Sequence, residues 1–163
     1  MTLVGRYFSL EEFEKDEPIP GQCVPSFVNL AQDILDHARE YQGCALIITS
    51  GYRDPQANLE AHGQPNSEHV ATTDYCAADF YPADGKTRAL FDWMRNNPNL
   101  PFHQLILEHG ANGSSVIHVS WNRTKRGVRS VLEGATHNAE PYTAVDHVPL
   151  SPESSGDIHL DAT

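Results

Sequence analysis

Apolar residues between Phe27 and Ala38 fall on one stripe: Phe27, Leu30, Ala31, Ile34, Leu35 and Ala38 stand at i, i+3, i+4, i+7, i+8 and i+11. That is the spacing of a helix with one buried face. Ser26 is expected as its N-cap and Gly43 as its stop, because a hydroxyl can take a free first-turn amide and glycine accepts the left-handed turn that ends a helix. Upstream, Ser9-Leu-Glu-Glu12 before Phe13 has the form of a capping box opening a short helix, which the acidic, proline-rich residues 15–20 end. Ala45–Thr49 then reads as a short buried strand. Two more strands, His103–Glu108 and Ser115–Trp121, are joined by the turn-rich His109-Gly-Ala-Asn-Gly113, and a last one lies near Val128–Leu132. A helix is expected over Thr87–Asn96, stopped by Asn97-Pro98. Residues 54–76 are polar and rich in Gly, Pro, Asn and Thr, long for a connection inside a compact domain unless the loop carries function.

These elements predict an α+β fold, helices packed on a small antiparallel sheet, in one domain over residues 1–134. From there to Thr163 the periodicity collapses into proline, acids and scattered apolar residues, which reads as an extended acidic C-terminal arm, residues 135–163. Tyr142, Val148, Leu150, Ile158 and Leu160 are more apolar pegs than a solvating tail needs. They are expected to order against another subunit, a virion component or another partner protein.

Length and charge narrow the classes. The chain has 163 residues, with 22 acids against 11 Lys and Arg, a formal charge of −11. Nucleic acid and anionic bilayers both demand a basic face, so neither is an expected partner. The first 21 residues lack a basic region followed by an apolar stretch, and no span of about 18 apolar residues occurs. Synthesis in a cytoplasm without a Sec signal is the expectation. Cys23, Cys44 and Cys76 are odd in number and lack CxxC spacing, which suits reduced, buried thiols.

Nine histidines are present. Most lie in contexts that suit solvated side chains, and His103 and His109 read as strand-start and turn residues. His69 and His118 differ. His118 lies mid-strand in Val116-Ile-His-Val-Ser-Trp121, where alternation puts His118 and Ser120 on one face and Ile117, Val119 and Trp121 on the other. Asp79 is an acid inside the apolar run Ala77-Ala78-Asp79-Phe80, and His69 stands on the long loop just upstream. A buried carboxylate must be paired or hold a cation. Two imidazoles and one carboxylate with a fourth position open form the ligand set of a catalytic zinc. Asp74 is a second, less apolar-flanked aspartate in the same stretch.

The string Ile48-Thr-Ser-Gly-Tyr-Arg53, then Asn58, Ser67-x-His69, Ala77-Ala78-Asp79-Phe80 and His118-Val-Ser-Trp121, together with Tyr7-Phe-Ser-Leu-Glu-Glu-Phe13, resembles the zinc D-Ala-D-Ala carboxypeptidases and phage endolysins of the superfamily that includes lysostaphin and the hedgehog domain. The resemblance implies a zinc cofactor held by His69, Asp79 and His118 on the sheet face away from the helices. Arg53 would hold a substrate carboxylate or the oxyanion, and Ser67 and Ser120 would contact substrate. It further implies hydrolysis of a peptide bond in peptidoglycan stem peptides at the bacterial cell wall, in a phage setting. His69 and Asp79 are ten residues apart, farther than is usual in the family, and Val70–Cys76 replaces a short Gly-containing segment. Ser115 stands where some members carry an acid three residues before the last histidine. Closer relatives instead carry Glu on the preceding strand, which makes Glu108 the candidate base, relaying a proton from the attacking water to the leaving amine, with Asp74 next. The rival reading is a virion structural or binding protein on the same scaffold, its arm docking a neighbouring subunit.

Overall fold

The computed structural model describes residues 1–125, 128–135 and 142–153. The Phe27–Ala38 stripe is wholly buried, and it belongs to one continuous rod: α1 (Val24–Leu30), a π-helical turn (Ala31–Leu35) and α2 (Asp36–Gln42). Gly43 ends the rod at φ 72°, as expected. The start differs. A 3₁₀ turn at Gly21–Cys23 leads in and Pro25 occupies the first turn of α1, so Ser26 lies inside the helix and its hydroxyl donates to the Cys23 carbonyl at 2.7 Å. A proline loses nothing in the first turn, where its missing N–H has no partner anyway, and so sets the start without a side-chain cap. Leu10–Phe13 is a 3₁₀ turn, with Glu12 reaching back to accept from the Ser9 amide at 2.8 Å.

Six strands form one sheet: β1 (Leu46–Ser50), β2 (Tyr75–Pro82), β3 (Gln104–His109), β4 (Ser115–Asn122), β5 (Ser130–Ala135) and β6 (Thr143–Ala144), in the order β1-β2-β4-β3-β5-β6. β2 has no counterpart among the expected strands. Cys76, Ala78 and Phe80 face the core, while Tyr75, Ala77, Asp79 and Tyr81 face the other side; with Ala77 and two tyrosines on that side, no clean apolar–polar alternation marks the strand. All pairs are antiparallel except β3–β5. The chain leaves β4 beside the start of β3, crosses that end and pairs on the far side, with the Ser130 amide donating to the His103 carbonyl at 2.7 Å. A crossing at one end of a strand returns the chain parallel to it. The polar loop holds a short helix, α3 (Pro55–Glu60), capped by Asp54, and α4 (Thr87–Arg95) falls where expected.

The rod and α4 cover one sheet face. There Leu105, Leu107, Ile117, Val119 and Trp121 share a core with Phe27, Leu30 and Ile34. Arg129, buried, caps α4 by donating to the Arg95 and Asn97 carbonyls at 3.0 and 2.8 Å, with its guanidinium 4.1 Å from the Phe102 ring centre. Burial pulls its pKa down to about 10.

The opposite face holds a row in register across five strands: Ser50, Asp79, His118, Ile106 and Leu132. A bulge between Ile48 and Ser50 brings Ser50 opposite Asp79, a common way to re-aim a side chain beside a site. Gly51 passes so close to the Phe13 backbone that any side chain there would collide with it, and the Tyr52 amide donates to the Phe13 carbonyl at 3.0 Å.

The described part of the C-terminal segment is extended and lies along the domain. β6 pairs with β5, the Val145 amide donates to Val131, Val148 to Arg95 and Ser151 to Pro98. Tyr142 and Val148 remain exposed along this segment, while Ile158 and Leu160 lie outside the described residues. All three cysteines are free; Cys23 and Cys76 are buried and Cys44 half-buried. Among the described residues no helix is long and apolar enough to cross a membrane.

Candidate metal centre

His69, Asp79 and His118 meet on the sheet face away from the helices, each offering an atom within 4.8 Å of the other two. His118 comes from the middle of β4 and Asp79 from the paired position of β2, so the ladder itself sets those two side by side. His69 descends from the loop, whose backbone is fixed by the Arg53 amide donating to the His69 carbonyl at 2.9 Å.

Tautomer chemistry decides what the cluster can hold. His69 Nδ1 lies 2.7 Å from the Gly51 carbonyl, which can only accept, so in the neutral ring Nδ1 carries the proton and Nε2 is a bare lone pair. That lone pair points at Asp79 Oδ1, another acceptor, 3.2 Å away, and His118 Nδ1 closes the group at 3.2 Å from His69 Nε2 and 3.0 Å from Asp79 Oδ1. When His118 Nδ1 is also unprotonated, three acceptors converge on one point, an arrangement that a bound cation satisfies; without one, a proton on His118 Nδ1 donated to Asp79 closes the group. Burial works against charge on Asp79, but His69 and His118 outweigh it and hold its carboxyl well below the usual carboxylate range. The donor set of two nitrogens and one carboxylate oxygen suits zinc.

The cluster lies on the floor of a cleft of about 1190 Å³ whose lining includes Arg53 and Glu108. Arg53, mostly buried, has Nη2 3.5 Å from Asp79 Oδ2 and Nε donating to Ser50 Oγ at 3.1 Å. Asp79 therefore divides its oxygens, Oδ1 toward the histidines and Oδ2 toward the guanidinium. Glu108 stands on β3 two residues from Ile106, the partner of His118, and so shares the same face. Burial and then the charge of Asp79 raise its carboxyl above the ordinary glutamate range, the direction a proton carrier needs.

Other expected site residues are placed differently. Ser67 lines the cleft, and its hydroxyl accepts from the His69 amide at 3.2 Å. Ser120, expected to contact substrate, is instead fully buried; its hydroxyl donates to Glu68 Oε1 at 2.8 Å and accepts from the Gln104 amide at 3.0 Å. Asp74 does not join the cluster either. The extra residues between His69 and Asp79 fold into a turn closed by the Thr72 amide on the Tyr75 carbonyl, and Asp74 is drawn outward to Arg123 at 2.7 Å. The wider sequence spacing therefore leaves both ligands in reach of each other. Ser115 is engaged by His109 at 2.9 Å.

One part of the site has no counterpart in the sequence reading. Glu68, beside His69, is buried and accepts from His103 Nδ1 at 2.7 Å, Ser120 Oγ at 2.8 Å and Asn122 Nδ2 at 2.7 Å. Burial opposes its charge, but His103 leads the groups that keep it below the ordinary glutamate range. The network staples the His69 loop to β3 and β4. The available signal was the run Ser120-x-Asn122, polar residues of one parity continuing past His118.

Two imidazole nitrogens and a carboxylate oxygen converging beneath an open cleft, with a guanidinium and a raised carboxyl beside them, are the equipment of a metal-dependent hydrolase. The family model for Peptidase M15 matches residues 6–120, more than half of the chain. The chain belongs to the peptidase M15 family of zinc metallopeptidases, and its α+β fold agrees with that membership. No curated relative and no solved structure matches it.

Proposed function

We propose that the protein hydrolyses a peptide bond in peptidoglycan stem peptides, as a carboxypeptidase or endopeptidase, with zinc held by His69, Asp79 and His118. The observation that carries this reading is that Glu108 and Arg53 line the same cleft as the three converging ligand atoms. Bound there, zinc would supply Lewis-acid polarisation of the scissile carbonyl and of the attacking water. Glu108 accepts the proton of that water and returns it to the leaving amine, a task that suits a carboxyl lifted above its ordinary range. Arg53, held by Ser50 and Asp79, presents a fixed positive charge for a substrate carboxylate or the developing oxyanion. The setting we propose is the bacterial cell wall during phage lysis or infection, which rests on the resemblance to phage endolysins.

The test is incubation of the zinc-loaded chain with purified peptidoglycan and with synthetic stem peptides ending in D-Ala-D-Ala, with and without a chelator. Chelator-sensitive release of D-alanine or of shortened peptides is the expected result. A chain that holds zinc and cleaves none of these substrates would instead be a scaffold or binding protein.

A further inference from the structure

Tyr142 lies beyond the segment that matches the family, yet it lines the cleft. Its phenol oxygen is 3.3 Å from Glu108 Oε2. A carboxylate can only accept, so the phenol is the donor. Its position is built rather than incidental. β6 pairs Thr143 with Glu133 and Ala144 with Leu132, and the Val145 amide donates to the Val131 carbonyl at 2.9 Å, which fixes the register of the segment on β5. One residue along, Gly134 is the β5 partner of Glu108 in the ladder, and a methyl group at position 134 would collide with the Tyr142 ring. The missing side chain at 134 is the space the ring occupies.

We propose that Tyr142 is a positioning residue for Glu108, so that the C-terminal segment completes the active site: the phenol holds Oε2 and leaves Oε1 as the oxygen free to take a proton. This rests on the reading of Glu108 as the proton carrier. Glu108 is faced by Asp79 from β2, His118 from β4, His69 from the loop and Tyr142 from the C-terminal segment. The charge of Asp79 disfavours its ionised form; the phenol's hydrogen bond favours it. A phenol donating to a carboxylate binds the ionised form more strongly than the protonated one, so it both orients Glu108 and eases loss of its proton.

The experiment compares wild type with Tyr142→Phe, which keeps the ring over Gly134 and removes the hydroxyl, and with Gly134→Ala, which displaces the ring and keeps the hydroxyl. The first readout is the titration of the Glu108 carboxyl by NMR of the full chain with labelled glutamate, its signal assigned by its absence in Glu108→Gln. Both variants should raise the Glu108 midpoint by about half a pH unit or more. On stem peptides the acid limb of the rate profile should move the same way, and kcat should fall roughly 3- to 10-fold with KM within about twofold. An unchanged Glu108 midpoint in both variants would overturn the proposal and leave Tyr142 as packing. A wild type without hydrolysis would count against the peptidase reading alone, because the titration judges Tyr142 without any turnover.

Discussion

On the helix side of the sheet, Ile117, Val119 and Trp121 of β4 share a core with Phe27, Leu30 and Ile34; on the other side His118 and Ser120 of the same strand are nearly as deeply buried, among polar partners. Burial on the first side asks only for apolar surface of fitting shape, since the hydrophobic effect has no direction. On the second side the buried polar groups are held by partners at set distances: His69 at Gly51, Glu68 at three donors, Asp79 between two histidines and an arginine. The helix side therefore carries most of the stability and the cleft side carries the chemistry, and substitutions should separate the two.

The largest effect is expected on the helix side. Phe27 is fully buried with its ring 5.4 Å from that of Phe13, and Phe27→Ala should cost about 3 to 5 kcal/mol of unfolding free energy by denaturant titration. Glu108→Gln should show the opposite split. Its unfolding midpoint and zinc content should match the wild type, while hydrolysis of stem peptides falls about 100-fold or more, the scale of a lost general base. Equal activity would place the base elsewhere. Ser120→Ala tests whether the cleft side is a connected network: with a donor to buried Glu68 and an acceptor for the Gln104 amide both gone, stability should drop by about 1 to 3 kcal/mol with zinc retained. A drop in substrate affinity without loss of stability would restore the substrate-contact role.

The smallest effect belongs to the edge of the helix side, where Arg88 and then His109 hold Glu133 below the ordinary glutamate range. A lowered folded pKa contributes stability that is complete above the unfolded glutamate value of about 4.3 and fades as pH falls through the folded one. Glu133→Gln should cost under about 1 kcal/mol at pH 7, as for a largely exposed pair, and progressively less as pH falls below about 4. A constant deficit across that range would show that the pair is not the source.

The two sides also differed in how far they could be read from the chain. The helix side was written in periodicity, because the Phe27–Ala38 stripe and the Gly43 stop depend on local geometry. The ligand trio was legible for the converse reason, polar residues placed where an apolar one belonged. What stayed hidden needed to know which strand lies next to which. β2 lacked a clean alternation because Ala77 and two tyrosines share the face of Asp79, and the parallel β3–β5 pair follows from a crossing at the end of β4. Glu68 meets His103, 35 residues away, only once the loop folds down. Asp74 stood in the same stretch as a second aspartate with a weaker apolar flank, and its pairing with Arg123 draws it away from the cluster. Tyr142 read as an apolar peg awaiting a partner; the partner of its hydroxyl is Glu108, on another strand of the same domain.

Metal content tests the central claim most directly. Purified chain saturated with zinc, dialysed at pH 7 and assayed by elemental analysis should retain close to one zinc per chain, and His118→Ala should retain none, since two of the three ligand atoms cannot hold the ion alone. A wild type that emerges metal-free, or a His118→Ala protein that keeps its zinc, would contradict the site.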